Sequence, residues 1–204
     1  MGFVGPIQME AVRRLNFVDI AIAGSSDIRA KEAADKYCVR KYYGDLQSLV
    51  RDPEIEVVHI CTPNDLHYPI AKLALSLGKH VVCDKPLTLD QKQSAELVEL
   101  AEKAKAVNAV TFNASFYPMI QQARLMAESG AIGKINYLQG YYLQDWMLYD
   151  YDYNWRVEAQ YQGTSRVVGD IGVHCLYMLQ LITGQKISEV YSDFNRFIEK
   201  RKKP

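Results

Sequence analysis

Short apolar runs alternate with segments of helical periodicity through the first half of the chain. Four runs have the length and composition of buried parallel strands: Val18–Ala23, Glu56–Cys61, His80–Cys83 and Ala109–Phe112. Apolar residues recur at helical spacing before and between these runs, in Ile7–Leu15, Ile28–Tyr37, Leu66–Leu77 and residues 90–106, with Asp90 as N-cap. Strands that alternate with helices predict an α/β domain whose parallel sheet is covered on both faces.

The periodicity changes after about residue 113. Lys134–Gln144 and Ile187–Phe197 resemble long strands with alternating polar and apolar positions, whereas Met119–Glu128 and Gly169–Thr183 have helical patterns. Asp145–Gln162 is polar, aromatic and without a clear period, which indicates a loop. We therefore predict two domains, residues 1–113 and 114–204, the second being an α+β domain with an open, mostly antiparallel sheet.

Composition narrows the classes of function. The 204 residues carry 24 Lys and Arg against 24 Asp and Glu, so no net field would attract nucleic acid or an anionic membrane. No apolar run approaches the roughly 20 residues of a membrane span, and the first residues do not resemble a secretory signal. Four scattered cysteines without a CxxC pair favour reduced thiols in a cytoplasmic protein without a structural metal.

Two glycines near the start precede the first helical segment. Gly2-Phe3-Val4-Gly5 fits the last two glycines of GxGxxG, in which one glycine admits a pyrophosphate and the next allows close packing of helix and strand. Two glycines three residues apart are weak evidence alone, and a frayed N-terminus is the commoner explanation. If the match is real, the first glycine and the first strand of a Rossmann-like sheet belong upstream of Met1.

The turn after the first apolar run bears on the choice of cofactor. Its sequence is Gly24-Ser25-Ser26-Asp27, followed by Arg29. Hydroxyl groups and an arginine suit the 2′-phosphate of NADP, whereas Asp27 suits the free ribose hydroxyl of NAD. These residues would also serve as turn and N-cap residues in either case, so the sequence leaves NAD and NADP open.

Two polar segments follow the next predicted strands. Thr62-Pro63-Asn64, with His67, and Asp84-Lys85-Pro86 come at carboxyl ends of parallel strands, where open α/β sheets bind ligands. A turn and a helix start would explain the first segment without a ligand, and Lys85 could be solvated.

Asp170 and His174 stand four residues apart in Gly169-Asp170-Ile171-Gly172-Val173-His174. On a helix this spacing places both on one face, so the carboxylate can orient an imidazole that acts as a base. An N-capping Asp beside an incidental His is the plainer explanation. A zinc site is weaker, because no third ligand is near.

Taken in order, these segments resemble the glucose–fructose oxidoreductase/inositol dehydrogenase (Gfo/Idh/MocA) family. The matching segments run the length of the chain: GFVG at 2–5, CTPNDLH at 61–67, ALSLGKHVVCDKPLT at 74–88, FNASFYP at 112–118, GAIGKI at 130–135, QDWMLYDYDYNWR at 144–156 and GDIGVH at 169–174. Family members are longer, which implies further strands after Pro204 as well as one before Met1.

The resemblance implies a dehydrogenase that uses NAD or NADP to oxidise a sugar or cyclic polyol, assembled as a homo-oligomer through its second-domain sheet. It implies that Lys85, Asp170 and His174 are catalytic. The residues it implies at the cofactor are Gly2, Phe3, Val4, Ser25, Ser26, Arg29, Thr62, Pro63, Asn64, His67, Asp84, Lys85, Asn113, Trp155 and Arg156. An inactive fragment or a non-catalytic cofactor-binding relative is the alternative.

Three residues depart from the family pattern. Asp84 replaces the more usual and longer Glu, Ser115 stands where Arg is frequent, and Tyr177 occupies a position that is commonly Asp. These departures bear on the identity of the substrate more than on the class of reaction.

Overall fold

The computed structural model describes residues 2–16 and 18–201. The chain divides into two compact units, residues 1–111 and 112–204. In the described residues, no helix is both long and apolar enough to cross a membrane.

The first unit alternates helices with short strands. Its described helices are α1 (Val4–Arg13), α2 (Asp27–Lys36), α3 (Leu46–Arg51), α4 (His67–Ser76) and α5 (Gln91–Ala104). Its described strands are β1 (Ala21–Ala23), β2 (Lys41–Tyr43), β3 (Val57–Ile60), β4 (His80–Asp84) and β5 (Asn108–Thr111). The four predicted strands and four predicted helices are therefore confirmed, within a few residues at their ends.

Every strand pair that the structure describes is parallel. β1 pairs with β2, and β3, β4 and β5 form a second sheet in that order. Among the described residues β1 and β3 do not pair, so the parallel architecture is split into two sheets. In a dinucleotide-binding sheet the first strand lies between the second and the fourth, which is the place of this split.

The core of the first unit lies between the three-stranded sheet and α4 and α5. Val58 and Ile60 face this core while Val57 and His59 point to the opposite face, as the alternation of a strand requires. Buried alanines on α4, Ala71 and Ala74, let the helix approach the sheet closely. Asp90 caps α5 by accepting hydrogen bonds from the backbone of residues 92 and 93, which confirms the predicted N-cap.

The second unit is helical wherever it has regular structure. Its described helices are α6 (Pro118–Glu128), α7 (Ala159–Gln162) and α8 (Val173–Thr183), with a π-helical turn at Val168–Gly172 directly before α8. α6 and α8 pack against each other. Pro118 begins α6 and Gly184, with a φ of 67°, ends α8 in the left-handed conformation.

The predicted antiparallel sheet of the second domain is not confirmed. No strand occurs among the described residues of this unit, and Lys134–Gln144 and Ile187–Phe197 have no regular structure. A strand forms only where its backbone groups pair with those of a neighbouring strand. Alternation of polar and apolar side chains does not supply that neighbour. Parts of both segments instead line one open cleft of about 200 Å³ beside the end of α8.

Candidate functional site

The carboxyl end of β3 leads into a buried turn. Asn64 is buried and starts a 3-10 helix, Asn64–Leu66, which continues directly into α4. His67, at the first position of α4, is fully buried, and its ring nitrogens lie 2.7 Å from the carbonyl oxygen of Pro86 and 3.0 Å from that of Thr62. Because its two ring nitrogens lie within hydrogen-bonding distance of these two backbone carbonyls, His67 connects the Thr62 turn to the segment that carries Lys85.

Thr62 offers a hydroxyl at this sheet edge. Its Oγ1 is buried and finds no hydrogen-bond partner among the described residues. A buried hydroxyl without a partner costs roughly 1–3 kcal/mol, which a ligand with a polar atom at this position would recover. The hydroxyl lies at the edge where parallel sheets bind dinucleotides, so the residues present fit such a cofactor.

Lys85 follows β4 directly, and its main chain is anchored by Asp84. The Oδ1 atom of Asp84 accepts one hydrogen bond from the Lys85 backbone N–H at 2.8 Å and another from the Thr111 hydroxyl at 3.0 Å. Thr111 ends β5, so the carboxylate links the ends of two neighbouring strands. The Lys85–Pro86 peptide bond is cis. The shorter Asp84 thus has a partner, Thr111, that the sequence analysis did not identify.

Two cysteines lie close to this edge and are poor nucleophiles. Burial, with a smaller contribution from Asp84, raises the pKa of Cys61 to about 12. Burial, with a smaller contribution from Asp84, also raises the pKa of Cys83. Both thiols therefore stay protonated at neutral pH and leave covalent thiol chemistry out of this site.

The first helix, α1, begins between the two glycines, so that Gly2 precedes it and Gly5 lies in its first turn. α1 starts at Val4 with no capping side chain and no acidic residue in its first turn, Phe3 is exposed, and nothing lies within 4 Å of a Cβ built on Gly2. Such a helix start can accept an anion such as a pyrophosphate. The Gln8 side chain connects α1 to the sheet, with its Oε1 2.8 Å from His59 Nδ1 and its Nε2 3.5 Å from Thr111 Oγ1.

The turn after β1 has no room for a side chain at its first position. A Cβ on Gly24 would lie 2.7 Å from the backbone nitrogen of Ala30, so no carboxylate can occupy that position unless α2 shifts. Asp27 packs against Gly44 in the following turn. The exposed Arg29 donates a hydrogen bond from Nη1 to the Ser25 hydroxyl at 3.2 Å, and the Ser26 side chain caps α2 by accepting a hydrogen bond from the Arg29 backbone N–H at 3.4 Å.

Asp170 and His174 lie on consecutive turns in the second unit, and both are buried. The π-helical turn contains Asp170, and the N–H of Val173 donates to the carbonyl of Val168, five residues back. Such a turn is wider than an α-helical one and is frequent at functional sites. The turn keeps Asp170 one turn ahead of His174 on the same side of the helix.

Aromatic rings surround His174. The Tyr142 ring stacks nearly parallel to the imidazole with 5.6 Å between centroids, and Phe112 meets it edge-on at 5.9 Å. Tyr177 stacks on Phe112 with 4.2 Å between the ring centroids. The chain therefore has an aromatic ring at a position that is commonly Asp in the family it resembles. Burial raises the pKa of Tyr142, which keeps its hydroxyl protonated. The sequence analysis did not identify Tyr142 or Phe112, because neither stands in a motif with the histidine.

Arg156 reaches the same carboxylate. Its Nε lies 3.3 Å from Asp170 Oδ1, and its guanidinium stacks 4.4 Å from the centroid of Trp155. A second arginine, Arg166, stacks at 5.5 Å over Trp146, and burial lowers its pKa while the charge of Asp170 opposes that shift. Arg156 and Arg166 thus place positive charge around Asp170.

Two predicted residues remain. Pro63 directly precedes the 3-10 helix Asn64–Leu66, and Asn113 is exposed at the start of another 3-10 helix, Asn113–Phe116. Two steps along, Ser115 is buried and donates its hydroxyl to the carbonyl of Phe112 at 2.6 Å, so it supports the turn where the family frequently has an arginine. Within residues 2–16 and 18–201, no three His, Cys, Asp or Glu side chains cluster as metal ligands would.

Sequence comparison assigns both parts of the chain. Residues 1–112 match a family described as oxidoreductases with an NAD-binding Rossmann fold, and residues 120–203 match the GFO/IDH/MocA C-terminal domain. Levoglucosan dehydrogenase of Pseudarthrobacter phenanthrenivorans is 35% identical over 165 residues, which are 80% of this chain and 42% of that protein. Trans-1,2-dihydrobenzene-1,2-diol dehydrogenase of Mus musculus is 28% identical, over 88% of this chain and 52% of its own.

Solved structures agree. Levoglucosan dehydrogenase in complex with NADH and levoglucosan superposes with a TM-score of 0.78 at 34% identity, covering 82% of this chain and 45% of its own. An NAD-binding oxidoreductase from Klebsiella pneumoniae superposes with a TM-score of 0.75 at 33% identity, covering 90% of this chain and 51% of its own. The chain thus spans about half the length of the relatives it matches. The predicted resemblance is confirmed: the chain belongs to the Gfo/Idh/MocA family of oxidoreductases and carries its NAD-binding Rossmann domain.

Proposed function

We propose that the protein is an NAD- or NADP-dependent dehydrogenase that oxidises a secondary alcohol of a sugar or cyclic polyol. The observation that carries this proposal is the buried Asp170–His174 turn in a family C-terminal domain that follows an NAD-binding Rossmann domain. A relative solved with NADH and levoglucosan supports the class of substrate. The dinucleotide-binding domain is assigned to residues 1–113 and the substrate domain to residues 114–204.

Each of the three catalytic residues has one chemical role. His174, as the neutral imidazole, takes the proton of the reacting hydroxyl, and Asp170 orients the ring and stabilises the charged form that results. Lys85 donates a hydrogen bond from its ammonium group to the same oxygen and favours the developing alkoxide. The nicotinamide, when bound, supplies the hydride acceptor. The aromatic rings beside His174 exclude water from the base.

The cofactor is held by side chains at the carboxyl edge of the parallel strands and by the start of α1. In this proposal the pyrophosphate lies at Gly2, Phe3 and Val4, and the unpartnered hydroxyl of Thr62 donates to the cofactor. The other residues that border it are Ser25, Ser26, Arg29, Pro63, Asn64, His67, Asp84, Lys85, Asn113, Trp155 and Arg156. Of these, His67 acts by joining two loops, since its two ring nitrogens lie next to a backbone carbonyl of each.

Three further parts of the proposal rest on the family resemblance. They are an open antiparallel sheet in the substrate domain, assembly of a homo-oligomer through that sheet, and action in the cytoplasm.

The activity is tested by incubating the protein with levoglucosan or a cyclic polyol and following reduction of NAD⁺ and NADP⁺ by absorbance. Turnover that depends on both alcohol and cofactor supports the proposal. NADH fluorescence titration, run in parallel, measures binding separately from turnover. Cofactor binding without turnover of any sugar or polyol would contradict the dehydrogenase assignment.

A second candidate is a cofactor-binding relative without turnover. The observation that favours it is the match of residues 1–112 to an NAD-binding Rossmann domain, which such a relative would keep without turning over an alcohol. This candidate predicts NADH binding, or none, with no reduction of NAD⁺ or NADP⁺ on any alcohol.

A further inference from the structure

The surroundings of Arg156 fix its guanidinium in one place. Arg156 lies in a one-turn 3-10 helix, Trp155–Val157, which Asn154 caps by accepting the Arg156 N–H at 3.2 Å. The same Asn154 oxygen accepts a hydrogen bond from Arg156 Nη1 at 3.4 Å, and the indole of Trp155 stacks against the guanidinium. In this arrangement the Nε atom of Arg156 lies 3.3 Å from Asp170 Oδ1.

This ion pair is shielded from solvent. The Asp170 side chain is 6% exposed and that of Arg156 is 24% exposed. Exposed ion pairs are screened by water and contribute little, whereas charges in a shielded position act on each other and on their neighbours over several ångströms. The next titratable group along the helix from Asp170 is the buried imidazole of His174, one turn later.

Other charged or titratable groups also lie around this turn. Arg201 acts electrostatically on Arg166 and Tyr117 on Tyr142, and Glu158, two residues after Arg156, accepts a hydrogen bond from the Tyr153 hydroxyl. Arg166 adds a second positive charge near Asp170, and Tyr142, Cys175 and Tyr177 approach from the neighbouring segment and from α8 itself. The burial-raised pKa values of Tyr142 and Cys175 keep both groups neutral. On α6, which packs against α8, Arg124 pairs with Glu128. The 3-10 helix Asn113–Phe116 carries no charged residue.

A carboxylate beside an imidazole favours the imidazolium form, and an imidazolium cannot take a proton. A positive charge on the far side of the carboxylate offsets part of that effect while the carboxylate keeps its ability to orient the ring. We propose that Arg156 is a positioning residue, which holds Asp170 in place and offsets enough of its charge to keep His174 neutral and able to act as the base. This inference rests on the proposed function, in which His174 accepts the proton.

The family resemblance instead implies that Trp155 and Arg156 contact the cofactor. The two roles predict different results. A cofactor contact affects NADH affinity and leaves the titration of His174 in the absence of cofactor unchanged. A positioning role changes the titration of His174 with no cofactor present, and charge rather than shape decides the size of the change.

The test is an NMR titration of the histidine side chains in the cofactor-free protein. The chain has four histidines, and the His174 signal is assigned by its loss in His174→Gln. Arg156→Gln removes the charge, Arg156→Met removes it while keeping an apolar stem on Trp155, and Arg156→Lys retains it. The matched control is Arg124→Gln, which removes an arginine from the exposed pair on α6.

We expect both neutral variants to raise the pKa of His174 by about one unit, as the loss of one shielded charge several ångströms away requires. Arg156→Lys and Arg124→Gln should leave it within about 0.3 units of the unmodified protein. In alcohol oxidation, the acidic limb of kcat/KM should move to higher pH by the same amount, so the rate on that limb falls roughly tenfold in the neutral variants.

The inference is overturned if His174 titrates unchanged in a folded neutral variant, or if Arg156→Lys shifts it as far as Arg156→Gln does. Either neutral variant suffices, so failure of one to fold leaves the test intact. Weaker NADH binding with an unchanged His174 titration would assign Arg156 to the cofactor and also overturn it. Because the titration needs no turnover, an inactive protein would refute the proposed function without deciding the role of Arg156.

Discussion

The surroundings of Lys85 and those of His174 are built in different ways. Lys85 stands at the end of a strand, and its main chain is held by hydrogen bonds among neighbouring strand ends, through Asp84 and Thr111. His174 stands at the start of a helix, and what surrounds it comes from distant parts of the second unit: Tyr142, Phe112 and, through Asp170, Arg156. One site depends on backbone geometry and the other on side-chain packing.

This difference decides how each site should respond to change. A strand end is positioned by its whole sheet, so removing one supporting hydroxyl leaves the backbone in place. A packed imidazole depends on each neighbour separately, because every ring or charge removed changes its orientation or its proton affinity. The Lys85 site should therefore tolerate changes in its support better than the His174 site does.

The largest expected effect is the loss of either of the two groups proposed to be catalytic, His174 and Lys85. His174→Gln and Lys85→Met should each lower kcat for alcohol oxidation by roughly two to four orders of magnitude with the fold intact by circular dichroism. If both groups act on one oxygen, the double variant should lose much less than the product of the two single losses. His80→Gln, at the opposite end of β4, is the matched control and should retain activity. If the loss in the double variant equals the product of the two single losses, the two groups act independently, and the claim that they share one oxygen is wrong.

The next effect concerns the cofactor. Thr62→Val removes the unpartnered buried hydroxyl while keeping the volume of the side chain. Loss of one hydrogen bond of about 1.4 kcal/mol should weaken NADH binding about tenfold, measured by fluorescence titration. Thr62→Ser, which restores a hydroxyl, should recover most of the affinity. Equal affinity of the valine variant and the unmodified protein would remove Thr62 from the cofactor site.

The smallest expected effect concerns the hydrogen bond from Thr111 to Asp84, which links the ends of β4 and β5. Thr111→Val removes the hydroxyl that donates to Asp84, so the free energy of unfolding should fall by about 1 kcal/mol in urea titrations. Because the Lys85 backbone N–H still bonds to Asp84, kcat should change by no more than a few-fold. Thr111→Ser should match the unmodified protein. A loss of activity as large as that of Lys85→Met would show that this site is as sensitive as the His174 site.

The sequence predicted the surroundings of Lys85, which are held by backbone geometry, better than those of His174, which are formed by side-chain packing. The apolar runs and their polar ends located β3, β4 and the segments at Thr62 and Lys85, because strand periodicity and the edge rule are local properties. The sequence analysis did not predict β2 or α3. The β2 strand, Lys41-Tyr42-Tyr43, is short and has no apolar run, and α3 has only six residues. Thr111 was also missed, because its role depends on the register of β4 against β5.

In the second unit the sequence predicted the helix that carries Asp170 and His174, and the spacing of the pair. It did not predict Tyr142 and Phe112, since only folding brings them to the imidazole. The predicted strands of this unit are not confirmed, and a related reason applies: alternation describes one face of a segment and says nothing about a pairing partner.

The central claim is that Lys85 and His174 converge on one substrate oxygen beside the nicotinamide. A crystal structure of the protein with NAD⁺ and a bound sugar or polyol tests it most directly. The account predicts that the Lys85 Nζ atom and an imidazole nitrogen of His174 both lie within about 3.2 Å of the same hydroxyl oxygen. A complex in which the two side chains contact different oxygens, or in which either one points away from the sugar, would contradict it.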